Sequence, residues 1–251
     1  MNVVPGLVQN STGRCATAIL AGGLGTRLAA AGLDQPKVLA PVAERPFLSW
    51  ILDWLGHLGL RRVVLCTGYR ASDVRRALGD RCGEIELLHS PEPAPLGTGG
   101  ALRHALPHLA AGPVLVLNGD SFCPLDLDAF ERAHLLRPAH ATIAVSAVPD
   151  ARASGSVALG RDDRVVGFRE KDPAGGAGLA NAGVYLIERT LIERIPADRP
   201  VSLERELLPA WLARYPVFAF RSGAAFHDIG TPERWAAAGS FIGKLTVGGL
   251  A

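Results

Sequence analysis

Two rhythms of apolar residues divide this chain. Residues 16–20, 62–67, 85–89 and 113–118 are short runs, apolar almost throughout, as in strands buried on both faces. Between them Phe47, Ile51, Trp54, Leu55 and Leu58 recur at helical spacing after Pro46. Ser72 or Asp73 is placed to cap a short helix ending near Gly79, and a further helix is expected over 100–109. This alternation predicts an α/β fold: a doubly wound, mostly parallel sheet flanked by helices, Rossmann-like in its layering.

From about residue 140 the rhythm changes. Strand-like segments at 141–148, 156–159, 165–169 and 182–187 follow one another across short turns. They predict an antiparallel or mixed extension of the same sheet. The run PAGGAG (173–178) reads as a hairpin tip or lid. Helices at 202–213 and 232–241 close the chain, the second opened by Thr231 and Pro232, a cap followed by a first-turn proline. The expected organisation is one domain over 15–242, with an N-terminal extension at 1–14 and a C-terminal tail at 243–251.

Composition changes this picture little. At 251 residues, 48% hydrophobic and 20% charged, the chain has ordinary globular values and the length for one sizeable core. A net charge of +2 gives no footprint for nucleic acid or an anionic membrane. No apolar run approaches the ~20 residues of a membrane span. Residues 1–14 lack the pattern of a signal peptide. The four cysteines are widely spaced, without metal-ligand pairs, and read as reduced thiols of a cytoplasmic protein. Among 26 basic residues only Lys37, Lys171 and Lys244 are lysines. Where the chain departs from arginine, a compact ammonium is the distinguishing property.

The candidate chemistry begins where the first apolar run ends, in Leu20-Ala21-Gly22-Gly23-Leu24-Gly25-Thr26-Arg27. Glycines without Cβ atoms let backbone N–H groups approach a phosphate. Arg27 adds a planar charged fork, and Lys37, behind Pro36, adds a second cation. Two better-known phosphate loops do not fit. Leu28 stands where the Rossmann fingerprint needs its third glycine, and the only Gly-Lys pair, Gly243-Lys244, is followed by leucine. Asn118-Gly119-Asp120 ends another strand, where open α/β sheets bind ligands. Asp120 and the late Asp228 together suit Mg²⁺, which takes one or two carboxylates along with substrate phosphates. Glu170 and Asn181 can hydrogen-bond sugar hydroxyls, and Lys171 can hold a phosphate.

Together these segments resemble the sugar-1-phosphate nucleotidyltransferases, from about residue 16 to 238. The family signature G-x-G-T-R followed by P-K is matched by Gly23 to Arg27 and Pro36-Lys37. Pro95-Leu96-Gly97-Thr98-Gly99-Gly100 is similar to its nucleobase-contacting loop. Its metal carboxylates fall on Asp120 and Asp228, its Glu-Lys pair on Glu170 and Lys171, and its Asn-x-Gly turn on Asn181 and Gly183. Gly155 matches a sugar-site glycine, although Ser154 replaces the aromatic residue that precedes it in many relatives. The phrases PLGTGGAL, LNGDSF and NAGVY most resemble those of D-glycero-α-D-manno-heptose-1-phosphate guanylyltransferases.

The resemblance implies a cytoplasmic, Mg²⁺-dependent enzyme that joins GTP to a sugar 1-phosphate for surface or capsular polysaccharide. Catalysis would fall to Arg27, Lys37, Asp120 and Lys171. The nucleotide would lie against Leu20, Ala21, Gly22, Gly23, Gly25, Thr26 and the Leu96-Gly97-Thr98 turn. Asn118, Gly155, Glu170, Asn181 and Gly183 would take the sugar phosphate. Mannose or glucose 1-phosphate with GTP, dTTP, CTP or UTP, or a non-catalytic sensor of sugar nucleotides, are the competing readings. A homodimer is the default assembly, because closed twofold oligomers are commonest.

Overall fold

The computed structural model describes residues 15–152, 154–170 and 176–247. Along the chain these form β1 (Ala16–Ala21), α1 (Thr26–Ala30), β2 (Pro41–Val42), β3 (Arg45–Pro46), α2 (Phe47–His57), β4 (Arg62–Thr67) and α3 (Ala71–Leu78). Next come β5 (Arg81–Cys82), β6 (Ile85–Pro91), α4 (Gly97–His104), β7 (Val114–Asn118), β8 (Ser121–Phe122) and α5 (Leu127–Leu135). The second half holds β9 (Ala141–Val148), β10 (Ser156–Leu159), β11 (Val165–Arg169), β12 (Gly178–Ile187) and α6 (Arg189–Ile192). A π-helical turn (Leu203–Leu207), α7 (Leu208–Leu212), β13 (Val217–Arg221), β14 (His227–Asp228) and α8 (Pro232–Val247) complete it.

The parallel half is built on β1, which pairs with β4 on one edge and β7 on the other, while β6 lies beyond β4. β1, β4 and β7 are buried on both faces, and their side chains alternate accordingly. Ile19, Leu115 and Leu117 point to one core with α2, α5 and α8. Ala18, Val114 and Val116 point to the other, under α4, α6 and α7. The expected doubly wound arrangement is therefore present.

β12 turns the sheet antiparallel. One of its edges carries β7 beside Val184–Ile187 and β10 beside Leu179–Ala180, while β9 runs along the other. β13 then adds parallel to β9. The result is a single ten-stranded mixed sheet.

Several local expectations shift. Neither Ser72 nor Asp73 caps α3. Arg70, left-handed at φ 51°, precedes that helix, and Asp73 instead holds Arg70 and Arg76. α4 starts three residues earlier than expected, at Gly97, and gives way to a 3₁₀ turn at Leu106–His108, where Pro107 removes a backbone donor. α8 runs on to Val247, into the segment expected to be a tail. α5, absent from the sequence reading, is capped by Asp126, which accepts from Ala129 N at 2.9 Å. Its buried stripe includes a polar residue, His134, which meets Thr142 Oγ1 at 2.8 Å. Residues 173–175 of the expected lid lie outside the described residues.

Candidate active site

Neighbouring parallel strands β1 and β4 both end in glycine, and there their backbones touch. A side chain on Gly22 would strike Glu92 Oε1 and come within 3.2 Å of Gly68 N. Gly25, at φ 60°, turns the chain into α1, whose Leu28 and Ala29 N–H groups donate to its carbonyl at 3.0 Å. Only glycine takes that conformation without cost. The loop delivers Arg27 to an exposed position with no hydrogen bond or ion pair among the described residues.

Lys37 arrives from a 3₁₀ turn behind Pro36, and its Nζ donates to Asp120 Oδ2 at 2.5 Å. Asp120 sits between β7 and β8, over β1, where Gly119 N donates to Leu20 O at 2.9 Å. The β8–β14 ladder then brings in a residue from far along the chain. Asp228 pairs with Ser121, and Ile229 N donates to Asp120 O at 3.0 Å. Asp228 accepts from Gly230 N at 2.8 Å and from Arg234 of α8. A Cβ on Gly230 would lie 3.6 Å from Arg27 Nη2 and 3.7 Å from Lys37 Nζ, so both cations border the space that this glycine leaves open. Burial alone would push the Asp120 carboxyl up, but the Lys37 ammonium together with hydrogen bonds from Lys37, Ser121 and the backbone lowers it from its ordinary value.

A second polar cluster lines the same cavity. Asn181 accepts from Gly183 N at 3.1 Å and donates from Nδ2 to Tyr185 OH at 2.7 Å. Gly183, at φ 74°, packs against Asn118, whose Oδ1 is buried without a partner. An unmet acceptor in a cavity wall fits a ligand hydroxyl. A Cβ on Gly155 would reach 2.7 Å from Phe168 Cζ and 3.1 Å from Glu170 Oε2. Gly155 thus makes room for Glu170 in the wall. Lys171 lies outside the described residues.

Both clusters open on one cavity of about 690 Å³, within the range of small-ligand sites. Leu20, Gly22, Gly23, Gly97 and Thr98 line its other end. Four expected nucleotide contacts do not line it. Ala21 points into the core, and Gly25 serves the turn. Thr26 begins α1 on the exposed side. Leu96 borders a separate cavity behind α4. The glycines of that loop also have a packing task. A Cβ on Gly97 would sit 2.6 Å from Val201 O, and one on Gly99 would sit 2.5 Å from Leu207 Cδ1.

Sequence reasoning missed Glu92, Tyr69 and Glu204, all in the cavity wall. Glu92 N donates to Thr67 O at 2.7 Å, and its Oε2 accepts from Leu96 N at 2.7 Å. Burial raises its carboxyl, with Leu96 N and His104 pulling the other way. A lone carboxylate between two prolines, just past a strand, is the signal that marks it. Cys66 stands beside it, and burial together with the Glu92 charge pushes that thiol up to about 12, so it stays neutral. All four cysteines are free.

Asp120 and Asp228 fit a hard divalent cation, since both are carboxylates bordering one cavity and substrate phosphates can complete such a shell. Among the described residues no third acidic, histidine or cysteine side chain joins them. Each carboxylate is meanwhile neutralised by its own cation, Lys37 or Arg234.

Residues 16–244 match the model of the nucleotidyl transferase family. The chain belongs to that family. This nucleotidyltransferase is 34% identical over 215 residues to the D-glycero-alpha-D-manno-heptose 1-phosphate guanylyltransferase of Aneurinibacillus thermoaerophilus, covering 86% of this chain and 93% of the relative. It is 36% identical over 218 residues to the mannose-1-phosphate guanylyltransferase of Mycobacterium tuberculosis, again over 86% of this chain. It spans only 61% of that relative's length. The crystal structure of HddC from Yersinia pseudotuberculosis superposes with a TM-score of 0.81 at 33% identity, covering 90% of this chain and 98% of HddC. HddC has also been solved complexed with GMP-PN. No helix among the described residues is long and apolar enough to cross a membrane.

Proposed function

We propose that this nucleotidyltransferase condenses GTP with a sugar 1-phosphate to give a GDP-sugar and pyrophosphate. The observation that carries the reading is one cavity lined by two clusters. Arg27, Lys37, Asp120 and Asp228 form one, and Asn118, Glu170 and Asn181 form the other beside it. A sugar-phosphate oxygen attacks the α-phosphorus of GTP, a new P–O bond forms, and the bond to the β-phosphate oxygen breaks. The attacking oxygen is already ionised, so no general base is needed. The task is to position two anions and neutralise their charge. Lys37 holds the phosphates in line, Arg27 stabilises charge on the reacting phosphoryl group and departing pyrophosphate, and Lys171 anchors the attacking phosphate. Asp120 and Asp228 would hold Mg²⁺, which when bound would supply charge stabilisation to the phosphates.

Glu92 supports guanine as the base. A carboxylate only accepts hydrogen bonds, and guanine presents two adjacent donors, N1–H and the N2 amino group. Uracil and thymine present one donor between two carbonyls. On the sugar side the reading is D-glycero-α-D-manno-heptose 1-phosphate, with mannose 1-phosphate as the second choice. Similarity to relatives carrying each name supports both. The setting is a cytoplasmic, homodimeric enzyme that supplies surface polysaccharide. A pyrophosphate-release grid of nucleoside triphosphates against sugar 1-phosphates tests this. GTP with the manno-heptose phosphate should give the highest kcat/KM, and a preference for dTTP or CTP with glucose 1-phosphate would overturn the substrate assignment.

A further inference from the structure

The segment between Val201 and α7 has no role in the reaction above, yet Ser202, Glu204 and Arg205 face the same cavity. It winds as a π-helical turn, a form found mostly as single turns near functional sites. Ser202 opens the turn by accepting from Arg205 N at 3.1 Å.

Half-buried within this turn, Glu204 ends two hydrogen-bond chains. On the nucleotide side, Leu203 N donates to Thr98 Oγ1 at 2.8 Å, and the Thr98 hydroxyl donates to Glu204 Oε2 at 2.7 Å. On the sugar side, Gly183 N donates to Asn181 Oδ1 and Asn181 Nδ2 donates to Tyr185 OH. The Tyr185 hydroxyl then reaches Glu204 Oε1 at 3.4 Å. The direction of each chain is fixed. Thr98 and Tyr185 both already accept from an N–H, so the proton of each must point to Glu204. A carboxylate, with acceptors on both oxygens, satisfies both. A glutamine would turn a donor toward one of them.

We infer that Glu204 is a positioning residue through which the nucleotide and sugar-phosphate halves of the cavity sense each other's occupancy. The inference rests on the two-substrate reading above. A substrate that orders one chain fixes the carboxylate, and the fixed carboxylate orders the other chain. By linkage the effect on binding is reciprocal.

The test is calorimetric titration of the full chain with mannose 1-phosphate, in the absence and presence of a non-hydrolysable GTP analogue. In the unsubstituted protein the nucleotide should tighten sugar-phosphate binding by on the order of tenfold, within the usual span of coupling. Glu204→Gln should bring that factor to about twofold or less. Each affinity measured alone should move by less than about threefold, which separates coupling from lost shape. Tyr185→Phe, which removes the hydroxyl between Asn181 and Glu204, should behave like Glu204→Gln. Tyr185→Phe also covers the outcome in which Glu204→Gln unfolds the π turn. The inference is overturned if the coupling survives Glu204→Gln and Tyr185→Phe, if single-ligand affinities fall as far as the coupled ones, or if the unsubstituted protein has none. Failure of the functional reading is distinct, because it appears as no pyrophosphate release from any substrate pair.

Discussion

The two halves of the cavity are made in different ways. The nucleotide half proposed above is assembled locally: β1 and β4 run parallel, and just past their C-terminal ends Gly22 and Gly68 lie against each other. The sugar half depends on register. Gly155, Glu170 and Asn181 come from antiparallel strands and their turns, where a slip of one residue would reverse every side chain. Strand ends suit backbone contacts to an invariant triphosphate, whereas hairpin registers present side chains that substitution can vary. Base and phosphate recognition should therefore be stiff, and sugar recognition adjustable.

The largest effects are expected where the halves meet. Asp120→Asn and Asp228→Asn should each lower kcat by roughly a hundredfold or more, since each removes charge stabilisation at the reacting phosphates. Full turnover in excess chelator would remove the metal from the scheme. Arg27→Lys should be severely impaired despite keeping its charge, because the planar fork is lost.

Glu92→Gln sharpens the nucleotide side. It should lower kcat/KM for GTP by about 10- to 100-fold while raising relative use of UTP or dTTP, in keeping with sites built to hydrogen-bond a substrate. Unchanged base preference in a competition assay would take Glu92 out of base recognition. The sugar side should respond more gently. Lys171→Ala and Asn118→Ala should raise KM for the sugar phosphate about tenfold, leaving that for GTP within about twofold. Equal changes in both KM values would erase the division between the halves.

The smallest effect concerns acid stability. The Asp120 carboxyl is lowered from its usual 3.8 in the folded protein. Its contribution is thus fully present above that value and is lost as pH falls through the lower folded one. Urea unfolding of Asp120→Asn should accordingly show a shallower loss of stability below about pH 4 than the unsubstituted chain. Parallel acid limbs would mean that the Lys37 pair is not formed in solution.

Legibility in the sequence followed the same division. Bounds for β4 and β9 could be read from apolar runs, because a strand buried on both faces writes itself continuously, and those for β10 and β11 from strand-like segments set between turns. β13 (VFAFR) lies in a short stretch after α7 and joins the sheet by pairing with β9, a contact that no local pattern announces. α5 escaped because a histidine occupies part of its buried stripe. In the site, glycine loops and cations follow motif spacing and were legible. Glu92 and Glu204 were not, since each is an ordinary acidic residue until a partner distant in sequence defines it: Gly22 and Gly68 for one, Thr98 and Tyr185 for the other. Arg234, the near neighbour that holds Asp228, was hidden inside what reads simply as a helix start.

The β8–β14 ladder bears on how the protein is made. A chain interrupted after Arg221 would own every strand of the ten-stranded sheet and still lack Asp228. It would equally lack Ile229, Ala238 and Ile242, which seal one face of the core. Burial of that face and arrival of the second carboxylate are therefore one event, which follows the last strand of the sheet along the chain. A chain without it would leave that apolar face open to aggregation and hold only one of the two carboxylates.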